Sequence, residues 1–512
     1  MPIDIRPAPR RDPCPHRLPT VGAEHRDDPH TSSRLLTTER NRTVALARIA
    51  SFDAPRPDDF AAFAAGIRGT VIRPDDEGYD HAREVHNANY DRRPLCVVQA
   101  SSAADVARTV LFARETGLEL AVRGGAHSLA GFSTTDGGIV LDLGQMKGLH
   151  IDPVRRLAWA QAGLRAGEYT AAAAAHGLAT PFGDTGSVGI AGLTLGGGIG
   201  WLVRKYGLAI DALVSVEIVT ADGRILIASA NENPDLFWAV RGGGGNFGVV
   251  TRFQFRLYPV STVLGGALFL TPTREALRGL QAVAAAAPEA LSTISMVMPA
   301  PPAPFIPEAV QGKQTLAVMF VYDGDPESGQ QALEPFRALS TPMAELAMPM
   351  PYVGIYEMLK AAEQRAPAAH RSLFLETLDD VAVDEIVTRM SAPSSPHVMT
   401  QIRILGGQMA RVSADATAFA HRGANVMLTI ITPFEDPAEA PVHAAWTHAY
   451  YEALRPRSTG VYSNFLEVEG EDRIREAYPD ATYRRLAEIK RRYDPKNLFR
   501  LNQNIAPAAA IA

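Results

Sequence analysis

The chain has 512 residues, 46% hydrophobic and 21% charged, enough to bury more than one core and to form two or three domains of ordinary size. Its 56 acidic and 50 basic residues leave a formal charge of −6 with no long basic block, which argues against a phosphate-tracking nucleic-acid surface. The only cysteines, Cys14 and Cys96, are far apart and form no C-x-x-C pair, so neither a disulfide framework nor a cysteine-based metal site is indicated.

Residues 1–54 open with a run rich in Arg, Pro, Asp, His and Thr. Arg10 and Arg11 adjoin, but no apolar stretch follows as an export signal requires. The segment reads as a disordered extension, and the cytoplasm is assigned by default. No later stretch is apolar and long enough to span a bilayer, because His, Pro or Glu interrupts the Ala-rich runs.

From Pro94 the pattern turns regular. L-C-V-V-Q-A predicts a strand, and Ser102 with Asp105 forms a capping-box start for a helix that Gly117 ends. The strand E-L-A-V-R follows, then the short β-like segments I-V-L-D-L, L-H-I-D and L-A-W-A-Q-A, and a helix closed by Gly177. Residues 180–200 (T-P-F-G-D-T-G-S-V-G-I-A-G-L-T-L-G-G-G-I-G) hold too many glycines for a helix interior and describe backbone passing close to something. A hairpin, V-S-V-E-I-V-T-A-D-G-R-I-L-I-A-S, precedes the helix N-P-D-L-F-W-A-V. A second glycine cluster leads into the strand V-V-T-R-F-Q-F-R-L.

Around Val263 the texture changes. Strands such as Q-T-L-A-V-M-F-V-Y, V-M-T-Q-I-R-I-L and N-V-M-L-T-I-I alternate with amphipathic helices and glycine clusters become sparse, which predicts a second domain built as a sheet backed by helices. The amphipathic helix Y-R-R-L-A-E-I-K-R-R-Y ends before Pro495 and the polar run L-N-Q-N-I-A-P follows.

Two glycine motifs bear on chemistry. Gly243 to Gly248 (G-G-G-N-F-G) satisfies G-x-G-x-x-G, yet a helix precedes it and a strand follows, the reverse of a dinucleotide-binding turn, so a Rossmann site is rejected. A-V-R-G-G-A-H-S-L-A-G, residues 121–131, places two glycines directly after a strand, where successive N–H groups can converge on a diphosphate. The segment alone also fits an ordinary tight turn with a solvated His127.

The ordered set R-R-P (92–94), V-R-G-G-A-H-S, G-G-I-V-L-D-L, V-G-I-A-G-L-T-L-G-G-G-I-G-W-L, K-Y-G-L, V-T-A-D-G, D-L-F-W-A-V-R-G-G-G-G-N-F-G-V-V-T and Y-D-P-K-N-L-F-R-L-N-Q-N-I closely resembles the berberine-bridge-enzyme-like flavoproteins. These belong to the p-cresol-methylhydroxylase/vanillyl-alcohol-oxidase superfamily, and the bacterial hydroxynicotine oxidases look especially similar. The resemblance covers residues 92–262 and about the last forty. It implies an α+β fold, with a p-cresol-methylhydroxylase-type FAD-binding domain over residues 55–262 and a C-terminal segment, 463–512, returning to it. Residues 263–462 form the substrate domain, an antiparallel sheet covering the flavin with helices on its far side.

For the cofactor, the resemblance implies FAD with its diphosphate wrapped by Arg123, Gly124, Gly125, Ala126, His127 and Ser128, and a covalent bond from His127 to the benzenoid methyl of the flavin. Many plant relatives add a second link through a cysteine; that position is Thr185 here, so a single link is expected. Gly186, Gly189, Ile190, Gly192, Gly196, Gly197, Gly198 and Gly200 run along the cofactor, Ile190 falling where a branched residue governs access of oxygen. Val249, with Val250, touches the flavin or is plain core strand. Asn502 and Asn504 bring amides to the isoalloxazine or ribityl chain.

Catalysis needs a base as hydride leaves for the flavin. G-V-Y-S-N-F-L resembles the family's Y-x-N strand, whose tyrosine is the base in several relatives; alternation puts Tyr462 and Asn464 on one side of it. Gln401 and Arg403 present polar groups to substrate or form a solvated sheet face. The expected reaction is C–H oxidation of a small alcohol, sugar, amine or aromatic natural product, with oxygen as acceptor giving hydrogen peroxide. A dehydrogenase with another acceptor and a flavin-binding carrier without turnover are the alternatives. No metal, nucleic acid or membrane partner is expected.

Overall fold

The computed structural model describes residues 56–360 and 365–509; the extension expected over residues 1–54 lies outside the described residues. Pro55–Ala512 forms one compact unit.

Its first layer is a four-stranded sheet of β1 (Thr70–Ile72), β2 (Cys96–Gln99), β3 (Leu120–Arg123) and β4 (Ile139–Asp142), ordered β1-β2-β4-β3. β4 lies parallel to both β2 and β3, while β1 is antiparallel to β2. The crossover from β2 is the helix Ala103–Thr116, capped as expected by Ser102, whose hydroxyl accepts from the Asp105 N–H, and closed by Gly117 at φ 72°. The capping box is only half made. Instead of returning to Ser102, the Asp105 carboxylate accepts from Ser101 and from the N–H groups of Arg68 and Gly69, so it fastens the edge strand rather than its own helix.

A second sheet contains β5 (Leu149–Asp152), β6 (Leu157–Gln161), β8 (Leu213–Val219), β9 (Ile225–Ser229) and β10 (Val249–Arg256), ordered β5-β6-β10-β8-β9 and antiparallel throughout. The two-residue β7 (Leu178–Ala179) pairs with β11 (Tyr258–Pro259). As the reversed order of elements required, the helix Pro234–Ala239 precedes the G-G-G-N-F-G run and β10 follows it.

One expectation needs correcting. The glycine-rich stretch 180–200 is not wholly irregular, because Ile190–Gly196 forms a helix. Ile190 and Thr194 are fully buried in it, and close packing makes up for the poor helix propensity of Gly192 and Gly196.

The third sheet has eight strands: β12 (Thr262–Leu270), β13 (Leu291–Pro299), β14 (Gln314–Tyr322), β15 (Pro342–Pro351), β16 (Ala368–Leu375), β17 (Met399–Ile404), β18 (Val426–Pro433) and β19 (Ser458–Gly460), ordered β15-β12-β14-β13-β17-β18-β16-β19. All seven pairings are antiparallel. Alternation gives it two faces. Leu268, Leu316, Val318, Ile402, Ile404 and Leu428 pack on helices Arg274–Ala286, Pro326–Arg337, Asp380–Ser391 and Ala440–Leu454. Ala267, Phe269, Ile294, Ala317 and Met319 join the core that the first two sheets share.

The helix Asp480–Tyr493 returns the chain to that core. Its Lys490, fully buried, donates to Asp494 Oδ2 (2.7 Å) and to the carbonyls of Asn246 (2.7 Å) and Phe499 (2.8 Å). Asp494 in turn accepts from the N–H groups of Leu498 and Phe499. Burial pulls the Lys490 pKa down and the Asp494 carboxylate opposes it. The Asp494→Ala variant leaves this ammonium in a dry site without its counter-charge, and is expected to lose about 3–5 kcal/mol of unfolding free energy, read from the denaturant midpoint; Lys490→Met combined with Asp494→Leu is expected to lose much less.

Candidate active site

β3 delivers Arg123 to a turn in which Ala126 has φ 63°. A non-glycine residue held in the left-handed region stores strain, and the strain is maintained by what surrounds it. Behind the turn, Gly125 and Gly189 lie back to back: a Cβ on either would overlap the other's backbone nitrogen. Hydrogen bonds from Ala166 N–H to Val188 O (2.9 Å) and from Ile190 N–H to Leu164 O (3.0 Å) hold the second loop in place. In front of the turn is a cavity of about 460 Å³, within the range of small-molecule and cofactor sites.

Gly124, Gly125, Ala126 and His127 line this cavity with Ser187 and with the cations Arg123, Lys147, Arg165 and Arg365. Arg123 is paired with Asp142 at 2.8 Å and Lys147 with Glu168. Four cations against the lining carboxylates Glu84 and Asp142 make the wall suited to a diphosphate. His127 is half-buried and stacked on His86, ring centroids 4.0 Å apart. Its burial, helped by charge from His86 and Arg165, pushes its pKa down to about 3, so the imidazole is neutral at physiological pH and keeps a nucleophilic nitrogen.

A second cluster gathers where the helix Ile190–Gly196 ends. Tyr462 Oη accepts from Gly198 N–H and from Asn464 Nδ2, both at 2.8 Å. Asn464 Nδ2 also reaches Leu193 O at 3.0 Å. The side chain of Asn464 fills the space a Cβ on Gly196 would need, and the Tyr462 ring lies against Gly197. Burial raises the Tyr462 pKa, while the Gly198 and Ile199 N–H groups, Asn464 and the charge of Arg403 act to lower it. The strand expected here stops at Gly460; Ser463–Phe465 forms a 3-10 turn. Tyr462 and Asn464 therefore meet through a fold in the chain rather than through alternation.

Gln401 and Arg403 lie on the face of β17 opposite to Ile402 and Ile404. They are not a solvated face: Arg403 is buried, donates to Gln401 Oε1, and pairs with Asp184 of the glycine-rich stretch. The Oδ1 atoms of Asn502 and Asn504, Ser187 Oγ and Thr194 Oγ1 are buried without a hydrogen-bond partner among the described residues. A Cβ on Gly192 would meet nothing within 4 Å. A cationic cavity, unmatched polar atoms from the glycine-rich stretch 180–200 and the C-terminal run, and an open backbone face together suit a large polar cofactor with a diphosphate, and FAD fits them.

The FAD binding domain family matches residues 94–229, and the family described as berberine and berberine like matches residues 461–506. The (R)-6-hydroxynicotine oxidase of Paenarthrobacter nicotinovorans is 32% identical over 471 residues, covering 86% of this chain and 97% of the relative. The chain belongs to the berberine bridge enzyme-like FAD-linked oxidoreductases. Berberine bridge enzyme-like 17 of Arabidopsis thaliana is 29% identical over 490 residues, covering 85% of this chain and 88% of the relative. The crystal structure of 6-hydroxy-D-nicotine oxidase from Arthrobacter nicotinovorans superposes with a TM-score of 0.78 at 29% identity, over 86% of this chain and 98% of that one.

As a berberine bridge enzyme-like oxidoreductase the protein uses FAD, and no described helix is long and apolar enough to cross a membrane. Of the residues expected at the cofactor, Arg123 through His127 line the cavity, whereas Ser128 is not among the lining residues and its hydroxyl accepts from Phe132 N–H within the turn. Gly186 and Gly200 make their close approaches to protein, Gly186 near Gly167 and Tyr356 and Gly200 against the Phe182 carbonyl. Ile190 and Val249 are fully buried. His86, Arg165, Ser187 and Arg365 line the cavity and Asp184 meets Arg403, and the sequence reading singled out none of them. Of these, Asp184 and Ser187 had a signal, both lying inside the glycine-rich stretch 180–200.

Gly192→Ala separates folding from cofactor binding. Since the added methyl group meets no protein atom, the thermal transition of flavin-free protein is expected to stay within about 1 kcal/mol of the parent, while the FAD retained on purification, read from the ratio of flavin to protein absorbance, falls. Retention at the parental level would mean that the cofactor does not pass over Gly192.

Proposed function

We propose that this oxidoreductase is an oxidase of a small molecule bearing an alcohol-like or amine-like C–H, that its FAD is held covalently through His127 alone, and that Tyr462 takes the substrate proton. Residues 55–262 and 463–512 are assigned to the cofactor and residues 263–462 to the substrate. The eight-stranded sheet supports that division, because one of its faces is covered by its own helices and the other turns toward the first two sheets.

The observation that carries the catalytic reading is the convergence on Tyr462 Oη of two donors, Gly198 N–H and Asn464 Nδ2. An oxygen that accepts two hydrogen bonds in a dry site has its phenolate stabilised. Arg403 adds positive charge from β17. FAD, when bound, supplies the two-electron acceptor for the hydride. This chain's own groups bind and orient: Arg165 and Arg365 face the cofactor cavity as cations, His127 presents a neutral imidazole, and Asn502 and Asn504 bring amides near the C-terminus. Gln401 and Arg403 are assigned to substrate contact from the sheet.

Relatives support the reaction class. The hydroxynicotine oxidase named above is, by its name, an oxidase of a hydroxylated nicotine, a small amine. Oxygen as the acceptor follows from that likeness, and adding oxygen to anaerobically reduced enzyme tests it: rapid return of the oxidised flavin spectrum with hydrogen peroxide supports an oxidase, and slow return points to another acceptor.

A pH profile tests Tyr462. The reactive form is the phenolate, and the folded-state pKa is raised above 10 chiefly by burial, so at neutral pH only a small fraction is ready. The rate of flavin reduction by substrate is therefore expected to climb about tenfold per pH unit on the alkaline side, and Tyr462→Phe is expected to lose that climb together with about 10²–10⁴ in rate. A Tyr462→Phe enzyme with the parental profile would remove Tyr462 from the role of base.

A further inference from the structure

The imidazole of His86 makes a contact that neither hydride transfer nor diphosphate binding calls for. It lies on the His127 ring with centroids 4.0 Å apart and planes inclined by 20°, and both rings line the cavity. The segment that carries His86 is fastened independently of this stack. His86 N–H donates to Ala126 O at 3.0 Å, and Asn87 Nδ2 to Leu129 O at 3.0 Å. Arg365 Nε donates to Val85 O at 2.9 Å, and Arg123 reaches Glu84 O at 3.3 Å. Four bonds over residues 84–87 thus hold the backbone that carries the His86 ring in register with the strained turn at Ala126.

We propose that His86 is a positioning residue for cofactor attachment, a flat clamp that fixes the plane of the His127 imidazole so that its nitrogen is presented to the flavin ring methyl in a single orientation. The inference rests on attachment through His127. Rotating either ring out of the stack drives an edge into a face only 4.0 Å away, so the pair resists rotation that a lone half-buried imidazole would undergo. A bond between two partners held at fixed distance and angle forms far faster than one awaiting a rare rotamer, and misplacement by about 1 Å costs up to about 10²-fold.

In the bond-forming step an imidazole nitrogen of His127 joins the carbon of the flavin methyl group. One methyl C–H and the imidazole N–H break. The electron pair and the two protons pass to the flavin, and dioxygen, the oxidant of the proposed cycle, takes them away as hydrogen peroxide. His86 enters none of these bonds and acts only through His127.

The test uses the full chain as parent, His127→Ala, His86→Ala and His86→Phe, each loaded with FAD, acid-precipitated, and examined for flavin fluorescence on a denaturing gel relative to flavin bound before denaturation. His86→Ala is expected to bind FAD but to lose at least about tenfold in the rate of covalent incorporation, and His86→Phe, which keeps a flat ring in the stack, to stay within about twofold of the parent. Parental incorporation in His86→Ala, or incorporation in His86→Phe as slow as in His86→Ala, overturns the clamp. Should His86→Ala bind no flavin at all, His86→Phe decides: a parental covalent fraction upholds the clamp and its loss overturns it. A parent that releases all its flavin, or a His127→Ala variant that retains it, overturns the attachment residue and the inference together; the clamp alone fails when the parent and His127→Ala behave as assigned and His86→Ala matches the parent.

Discussion

Two stretches of backbone that cross at Gly125 and Gly189, with no room for a side chain between them, set the geometry on which the rest of the site depends. The crossing ties the turn after β3 to the glycine-rich stretch 180–200. From one side of it the chain runs through the strained Ala126 to His127; from the other it runs into the helix Ile190–Gly196, whose far end meets Tyr462. A displacement at the crossing therefore moves the residue assigned to hold the cofactor and the residue assigned to the proton together, and local flexibility at either end is limited by the same contact.

The second constraint is long-range. Residues after 400 reach the glycine-rich stretch repeatedly: Arg403 pairs with Asp184, Tyr462 accepts from Gly198, and Asn464 donates to Leu193. Lys490 and Asp494 then fasten the other glycine cluster, through the Asn246 carbonyl, to the run that carries Asn502 and Asn504. Arg403 with Asp184 joins a strand of the eight-stranded sheet to the glycine-rich stretch, and Lys490, held against Asp494 at the end of its own helix, reaches the Asn246 and Phe499 carbonyls on either side of it. The Arg403 charge is largely balanced by Asp184, which limits how far it can draw the Tyr462 proton away.

Local patterns made much of this architecture readable. Ser102 and Gly117 bracket their helix because capping chemistry is written in adjacent residues, and the strands of the eight-stranded sheet carry period-two or continuous apolar runs. The order helix, glycine cluster, strand was enough to reject a Rossmann turn at Gly243. Less was readable where the outcome depended on packing. The helix at Ile190 forms against the propensity of its glycines because it is buried. Gly460 ends a strand that alternation would have continued, and the capping-box carboxylate of Asp105 is diverted to the backbone of a distant strand. The site was legible where it is a run of residues, as at Arg123 to His127, and illegible where it is a meeting: nothing near His86 announces that it will face His127, and Asp184 and Arg403 are separated by more than two hundred residues of chain.

Burial acts on the two assigned groups in the same way and with opposite chemical effect. Desolvation favours the neutral form of any titratable side chain. For His127 the neutral form is the nucleophile, so a half-buried wall with cations nearby is sufficient to prepare it at any ordinary pH. For Tyr462 the neutral form still holds the proton it must give up before it can accept another, so burial works against it. The same dry environment that prepares one residue obliges the fold to supply the other with donors, and the Gly198 N–H and the Asn464 amide are those donors. This accounts for glycine at 196, 197 and 198: the chain must come close enough for a backbone N–H to reach a phenol while the Asn464 side chain occupies the space a Cβ at 196 would take. The glycine-rich stretch 180–200 is thus shaped as much by the needs of Tyr462 as by those of the cofactor.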